Sequence, residues 1–296
     1  MLFDASFTQR EVATAGARLN VRCGGEGPPL LLLHGFPQTH AMWHLVAPVL
    51  AQRFHLVMPD LRGYGDSEKV PADADHAAYS KRAMANDIAD LMSLLGHERF
   101  AVAGHDRGAR VTHRLALDHP GRVSRACVMD IVPTKHLFTH TDQVFATAYY
   151  HWFFLIQPDG LPERMIGADP GWYMRECIRR WAAPGAAFSA EALNEYERCY
   201  RRPETIHSAC EDYRAGASID LEHDAASAGQ RITCPLLVLW GSRGFVHRHY
   251  DVMQVWRDYA SEAQGHALDC GHFLPEERPQ EVAAALLAFF GSPTGA

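Results

Sequence analysis

Several familiar signatures are missing from this chain, and each absence narrows what it can be. No Gly-x-Ser-x-Gly occurs anywhere, which argues against the peptidases, lipases and ordinary esterases built on a serine in that turn. No apolar stretch approaches the roughly 20 residues of a membrane span. The opening MLFDASFTQREV lacks a basic segment followed by an apolar one, so neither insertion nor secretion is expected and the chain reads as cytoplasmic. No basic run interrupts the mixture of acids and bases that sums to −7, which excludes an extended nucleic-acid surface. The seven cysteines (Cys23, Cys127, Cys177, Cys199, Cys210, Cys234, Cys270) are scattered and never form a CxxC pair, as expected of reduced thiols. Eighteen histidines invite a metal, yet the tightest clusters, His34/His40/His44 and His247/His249, offer no coherent ligand set. No metal and no cofactor is therefore expected. Internal repeats and low-complexity segments are also absent.

What is present is organised around Phe100–Thr112, FAVAGHDRGARVT. A short apolar run, Phe100-Ala101-Val102-Ala103, turns sharply through Gly104-His105-Asp106-Arg107-Gly108 into helix-compatible residues reaching His119 and Pro120. A strand that ends in Gly-x-nucleophile-x-Gly and runs straight into a helix holds its central residue on a strained turn, with neighbours too close for a Cβ at the glycines. Here the central residue is Asp106, and a carboxylate in that seat attacks carbon directly and leaves an ester on the enzyme.

The whole chain of 296 residues, 47% of them hydrophobic, suffices for a substantial core. Residues 9–23 read as an edge hairpin. Leu30–Leu33, bounded by Pro29 and Gly35, reads as a strand buried on both faces. Ala41–Gln52 reads as a helix, His55–Pro59 as a strand, Tyr79–Leu95 as a long helix stopped by Gly96, and Val123–Val132 as a strand ending at Asp130. From Pro133 to about Gln230 strand signals vanish, and short helical stretches rich in Trp, Tyr, Phe and Arg take over, punctuated by Pro158, Pro162, Pro170, Pro184 and Pro203. The alternation resumes at Pro235–Trp240, with a strand near His266–Leu268 and a helix near Glu281–Phe290. Alternating strands and helices imply a mostly parallel sheet with helices on both faces, an α/β architecture. Residues 1–132 and 231–296 form its core, and 133–230 an inserted helical cap over the strands' carboxyl ends, where ligands bind in such sheets.

Two further residues complete a triad. His272, in Gly271-His272-Phe273 just past the last strand, stands where the general base belongs in chain order. The orienting acid has two seats. After the seventh main strand the chain reads Trp240-Gly241-Ser242-Arg243-Gly244, with glycine where an acid would stand. After the sixth it reads Val128-Met129-Asp130-Ile131, an acid among apolar residues that needs a partner such as a histidine N–H. Asp130 is the expected acid, with Asp251 the fallback. Backbone N–H groups of Phe36, in His34-Gly35-Phe36-Pro37, and of Arg107 are the expected oxyanion donors. Arg107 and Arg110, three apart on one helix, would repel each other unless an anion sat between them, and a substrate carboxylate is the natural one.

The elbow Gly-His-Asp-Arg-Gly-Ala-Arg resembles that of the fluoroacetate (haloacetate) dehalogenases, a branch of the α/β-hydrolases. Haloalkane dehalogenases and epoxide hydrolases more often carry Trp after the nucleophile, where this chain has Arg107. The likeness extends through His34-Gly35-Phe36-Pro37-Gln38, Arg62-Gly63-Tyr64-Gly65, Leu117-Asp118-His119-Pro120, Tyr149–Phe154 and Cys210–Gly216, essentially the whole chain, and no catalytic position departs from it. The resemblance implies an α/β-hydrolase fold with an inserted helical cap, no cofactor, a small anionic haloacid substrate and a homodimer. It implies that His151, Trp152 and Tyr213 bind the departing halide and that Trp181 lines the pocket. Three N–H and O–H donors aimed at one anion agree with that role. Trp152 on its own reads equally as lid core, and adjacent helical residues point about 100° apart, so His151 and Trp152 share a pocket only if it wraps that edge. An epoxide hydrolase using Asp106, with Tyr149, Tyr150 or Tyr213 as proton donors, is the alternative in the same class. A small-molecule receptor that kept the fold is the alternative outside it, and the intact Asp106–Asp130–His272 set argues against that.

Overall fold

The computed structural model describes residues 2–291, and its eight strands form a single sheet. They are β1 (Thr8–Ala13), β2 (Arg18–Gly24), β3 (Pro29–Leu33), β4 (His55–Pro59), β5 (Phe100–His105), β6 (Val123–Met129), β7 (Leu236–Gly241) and β8 (Ala263–Leu268). The order across the sheet is β1-β2-β4-β3-β5-β6-β7-β8, antiparallel at β1–β2 and β2–β4 and parallel everywhere else. The central strands are apolar without alternation because both faces are covered: every residue of β7 is buried, and all but one each of β3 and β5. This is the mostly parallel, doubly covered sheet of an α/β-hydrolase fold.

Between β6 and β7 the chain forms eight helices, from Thr134–Thr139 to Ile219–Ala226, and no strand. Buried polar contacts pin this segment to the rest. The Tyr79 hydroxyl meets Ser208 Oγ at 2.9 Å, and the Lys81 backbone N–H donates to Asp220 Oδ1 at 2.8 Å. Among the described residues no helix is long and apolar enough to cross a membrane.

Two helix readings need correction. The stretch Ala41–Gln52 is not one helix but a 3-10 turn, His40–Trp43, followed by a short helix, Ala47–Leu50. Pro48 is the reason: it has no N–H to give and is accommodated only in a first turn, so the helix must restart there. The helix expected over Tyr79–Leu95 runs Lys81–Leu94, because Ser80 is extended and caps it, its Oγ accepting from the Ala83 N–H at 3.1 Å.

The carboxyl ends of β3, β5 and β6 and the loop after β8 deliver Phe36, Asp106, Asp130 and His272 to one edge of the sheet. At the end of β5, Asp106 is held at φ 47°, ψ −115°, a conformation costly for any residue with a side chain. The turn closes because its neighbours lack side chains. A Cβ on Gly104 would lie 2.4 Å from the Gly108 carbonyl oxygen, and one on Gly108 would lie 2.4 Å from that of His34. A Cβ on Gly35 would fall 2.5 Å from the Asp106 Cβ, so the β3 loop and the elbow are in contact through bare backbone. Gly108→Ala should therefore lower unfolding free energy by roughly 2 kcal/mol, as overpacking does. Gly121→Ala, which meets nothing within 4 Å, should change it by less than about 0.5 kcal/mol. Urea titrations of both variants test this, and equal stabilities would contradict the close packing of the elbow.

Candidate active site

Asp106 is buried, and its Oδ1 accepts the Phe36 backbone N–H at 3.0 Å. The other expected donor, the Arg107 N–H, belongs to the first residue of the helix Arg107–Asp118, where backbone N–H groups have no intrahelical acceptor. Burial pushes the Asp106 carboxyl up, but His272, Arg107 and Arg110 outweigh it and hold the group below its ordinary value.

His272 Nδ1 lies 2.6 Å from Asp130 Oδ2, and Asp130 Oδ1 accepts the Gly241 N–H at 2.9 Å. Asp130 follows β6 with φ 52°, a turn that sends its carboxylate toward the loop after β8. Burial lowers the His272 pKa, yet the Asp130 hydrogen bond and charge, with Asp106 behind them, leave it raised. The fallback acid is elsewhere: Asp251 caps the helix Val252–Tyr259, accepting from the Gln254 N–H at 3.0 Å.

The two arginines do not behave alike. Arg107 is fully enclosed and already neutralised. Its Nε donates to Asp212 Oδ2 at 2.8 Å, and its Nη2 donates to Asp212 Oδ1 and to the Asp212 carbonyl at 2.7 Å. Asp212 also receives the Lys81 ammonium and the Tyr64 hydroxyl (2.6 Å). The expectation that the pair share one external anion is thus changed for Arg107, whose anion is resident and comes from the inserted helices. Arg110 has no such partner: its Nη1 donates only to the Val132 carbonyl and Thr134 Oγ1, both at 3.0 Å, and its Nε has no protein acceptor. Its guanidinium lies over the Trp152 ring, 4.6 Å from the centroid. Burial, with Arg107 next to it, brings Arg110 down to about 10.

A cavity of about 290 Å³ opens beside the nucleophile, lined among others by Asp106, Asp130, His272, His151, Trp152 and Trp181. It wraps the helix edge, so that adjacent His151 and Trp152 both face it. Trp152 is also packed against Phe138 and Phe145, so it serves as core and wall at once. Arg107, Arg110 and Tyr213 are not part of the lining. The Tyr213 ring sits against those of His151 (5.7 Å) and Trp152 (5.9 Å), edge-on, and 4.2 Å from the Arg107 guanidinium. Trp181 touches His151 at 4.5 Å and His272 at 5.8 Å between centroids. Exposed Arg180, Arg243 and Arg248 line the outer wall.

Burial fixes the protonation of the expected halide donors. His151 falls to about 3 and stays neutral, its Nδ1 without a protein partner. Tyr213 is raised well above its ordinary value by burial and by Asp106, so it keeps its O–H. His105, beside the nucleophile, also falls to about 3 through burial and the neighbouring His272, and it donates from Nε2 to the His272 carbonyl at 2.7 Å. Asp212, His105 and Glu277, all at or around the site, were not singled out as site residues from sequence, and Tyr149 was named only as a proton donor of the epoxide hydrolase alternative. Asp212 stands next to Tyr213 in the recognised Cys210–Gly216 stretch, which is the one signal that pointed to it. Of the histidine clusters, His40 is spent on Asp60 at 2.8 Å. Among the described residues the His/Cys/Asp/Glu set with converging ligand atoms is Asp66, Glu195 and Cys199, where Arg198 and Arg202 already neutralise Asp66.

Comparison with known proteins agrees with this fold. The family model for the alpha/beta hydrolase fold matches residues 28–279. A fluoroacetate dehalogenase from Burkholderia sp is 46% identical over 284 residues, covering 96% of this chain and 93% of that protein. A soluble epoxide hydrolase from Corynebacterium sp. (strain C12) is 34% identical, covering 96% and 97%. The crystal structure of a candidate alpha/beta hydrolase from Nostoc sp PCC 7120 superposes with a TM-score of 0.97 at 54% identity, covering 99% of this chain and 100% of that one.

The buried neutral imidazoles make stability depend on pH. His105 and His151 at about 3 and His113 at about 4 refuse protons that the unfolded chain accepts near 6.5. Stability is therefore lost as pH falls below about 6.5, by up to roughly 1.4 kcal/mol per pH unit for each such group. His272, raised, acts oppositely: its contribution is present below the unfolded value and lost as pH rises through its folded one. The three lowered groups outnumber it, so urea unfolding at pH 5 should show a markedly less stable protein than at pH 7. A flat profile would contradict neutral burial.

Proposed function

Because the chain belongs to the alpha/beta hydrolase fold family, we propose that it is a cofactor-free hydrolytic dehalogenase that converts 2-haloacetates, fluoroacetate included, to glycolate and halide. Asp106 Oδ1 is held by the Phe36 N–H, which leaves Oδ2 to attack the halogen-bearing carbon from behind. The C–O bond forms as the C–halogen bond breaks, and the bonding pair leaves on the halide. His272, its Nδ1–H on Asp130, then takes a proton from water at Nε2, and that water adds to the Asp106 ester carbon. The oxyanion rests on the Phe36 and Arg107 N–H groups, and its collapse expels glycolate, which regains the proton from His272. His151, Trp152 and Tyr213 are the halide donors, Trp181 a wall of the pocket, and Arg110 the cationic seat of the substrate carboxylate, beside an Arg107 that Asp212 already neutralises. Residues 133–230 act as a cap on the core formed by 1–132 and 231–296. The reading extends to a cytoplasmic homodimer.

One observation supports this above all. Arg110 is a buried guanidinium in the field of Asp106 with no carboxylate of its own. An isolated buried charge is expensive, and an anionic substrate offsets it where an uncharged one would not. The fluoroacetate dehalogenase at 46% identity supports the same choice. Epoxide hydrolysis is the second reading, favoured by the epoxide hydrolase relative and by Tyr149 and Tyr213, phenols that burial keeps protonated near Asp106.

Fluoride release from fluoroacetate, measured beside chloride release from chloroacetate, tests the proposal. Both should occur and both should fall by at least about 10³-fold in Asp106→Asn, which removes the nucleophile. Arg110→Gln should raise KM more than it lowers kcat. Chloride without fluoride would keep the class and refute the fluoride-competent donor set. Diol formation from a terminal epoxide, with neither halide released, would refute the dehalogenase.

A further inference from the structure

Glu277 lies five residues past the general base, and its carboxylate gathers three backbone N–H groups. Oε2 accepts from Gly271 at 2.8 Å and from Ala183 at 2.9 Å, and Oε1 accepts from Phe273 at 3.0 Å. Two of these donors flank His272 on either side. The third belongs to the inserted helical segment, two residues past Trp181, which itself faces His272. A fourth bond runs parallel, from the His272 N–H to the Trp181 carbonyl at 2.9 Å. The contact is close enough that a Cβ on Gly271 would fall 2.4 Å from the Ala183 nitrogen. One carboxylate therefore fixes the base loop and ties it to the wall of the pocket.

We propose that Glu277 is a positioning residue for the ester-hydrolysis half of the reaction, an inference that rests on the assignment of His272 as the base activating water. Its negative charge adds to those of Asp130 and Asp106 in favouring the protonated imidazole, while His105, neutral, faces the ring from β5. Around Glu277 itself stand buried Glu276, Cys270 and the exposed Arg243, all within reach of its charge. The first half-reaction, attack by Asp106, passes no proton through His272, and with the Phe36 N–H, Arg107 and Arg110 also holding Asp106 ionised it should depend little on Glu277. A glutamine cannot substitute fully. It has one acceptor oxygen for three donors, and its NH2 must face at least one backbone N–H, whichever way the amide turns.

The test is a single-turnover experiment with chloroacetate on Glu277→Gln, following chloride release and, by intact-protein mass, the Asp106 ester. Chloride release in the first turnover should match the parent protein, while ester breakdown slows about tenfold and the ester accumulates, as loss of sub-ångström positioning predicts. The imidazole titration of His272, followed by NMR, should move to lower pH. Glu277→Asp keeps the charge and both oxygens on a stem one methylene shorter; it should regain part of the rate, and it is the variant to read if the glutamine protein does not fold. Equal slowing of both halves, or an unchanged ester lifetime with an unchanged His272 midpoint, overturns the proposal. If the parent protein releases no chloride, the dehalogenase reading fails by itself. The NMR midpoint then decides Glu277: a lower one upholds its hold on His272, and an unchanged one refutes it.

Discussion

A carboxylate that is to act as a nucleophile must stay ionised while shut away from water, and that requirement organises this molecule. Burial alone would protonate Asp106. Against it stand the Phe36 N–H at 3.0 Å and the charges of His272, Arg107 and Arg110, and together they win. Each of those cations then faces the same desolvation. His272 is held by Asp130, and Arg107 by Asp212, which in turn engages Lys81 and Tyr64. The result is a chain of buried charges in which every member but one has a protein counterion. Arg110 is the exception, and under the proposed function the place where the chain ends is where a substrate anion would complete it.

The same dryness sets the state of the donors proposed for the halide. A protonated His151 would hold an anion strongly, and it would hold product as well as transition state. Burial instead keeps the imidazole neutral and the Tyr213 phenol protonated, so both offer dipoles rather than charges. Dipoles that strengthen as charge builds on the leaving atom stabilise the transition state more than the bound substrate, which is what raises turnover. Fluoride, the poorest halide leaving group, gains most from such concentrated donation.

Much of this was legible from sequence, and what was not shares a physical cause. The elbow could be read because strain and close approach dictate glycines within two positions of Asp106, and His272 and Asp130 because they stand at strand ends in a fixed order. The central strands were evident from unbroken apolar runs. The helix over Ala41–Gln52 was misjudged because its pattern is helical while Pro48 imposes a restart. The partner of Arg107 was out of reach: Asp212 lies 105 positions away, and no local rule joins them. Glu277 was silent for another reason. It binds backbone N–H groups, which every residue carries, so no complementary side chain marks the contact.

Asp212 and Glu277 also change how the inserted helices relate to the core. One acid pins the helix Pro203–Gly216 to the nucleophile's neighbour, and the other pins the end of the helix Pro170–Trp181 to the base loop. Both contacts are charge-assisted, and the first is wholly buried, so lifting the segment as a unit would take Asp212 away and leave Arg107 and Lys81 of the core without their counterion. A segment anchored at both catalytic partners cannot open by swinging away from either without dismantling the site. The cavity's solvent side is bordered instead by Arg180, Arg243 and Arg248, exposed residues that hydrogen-bond to neither acid.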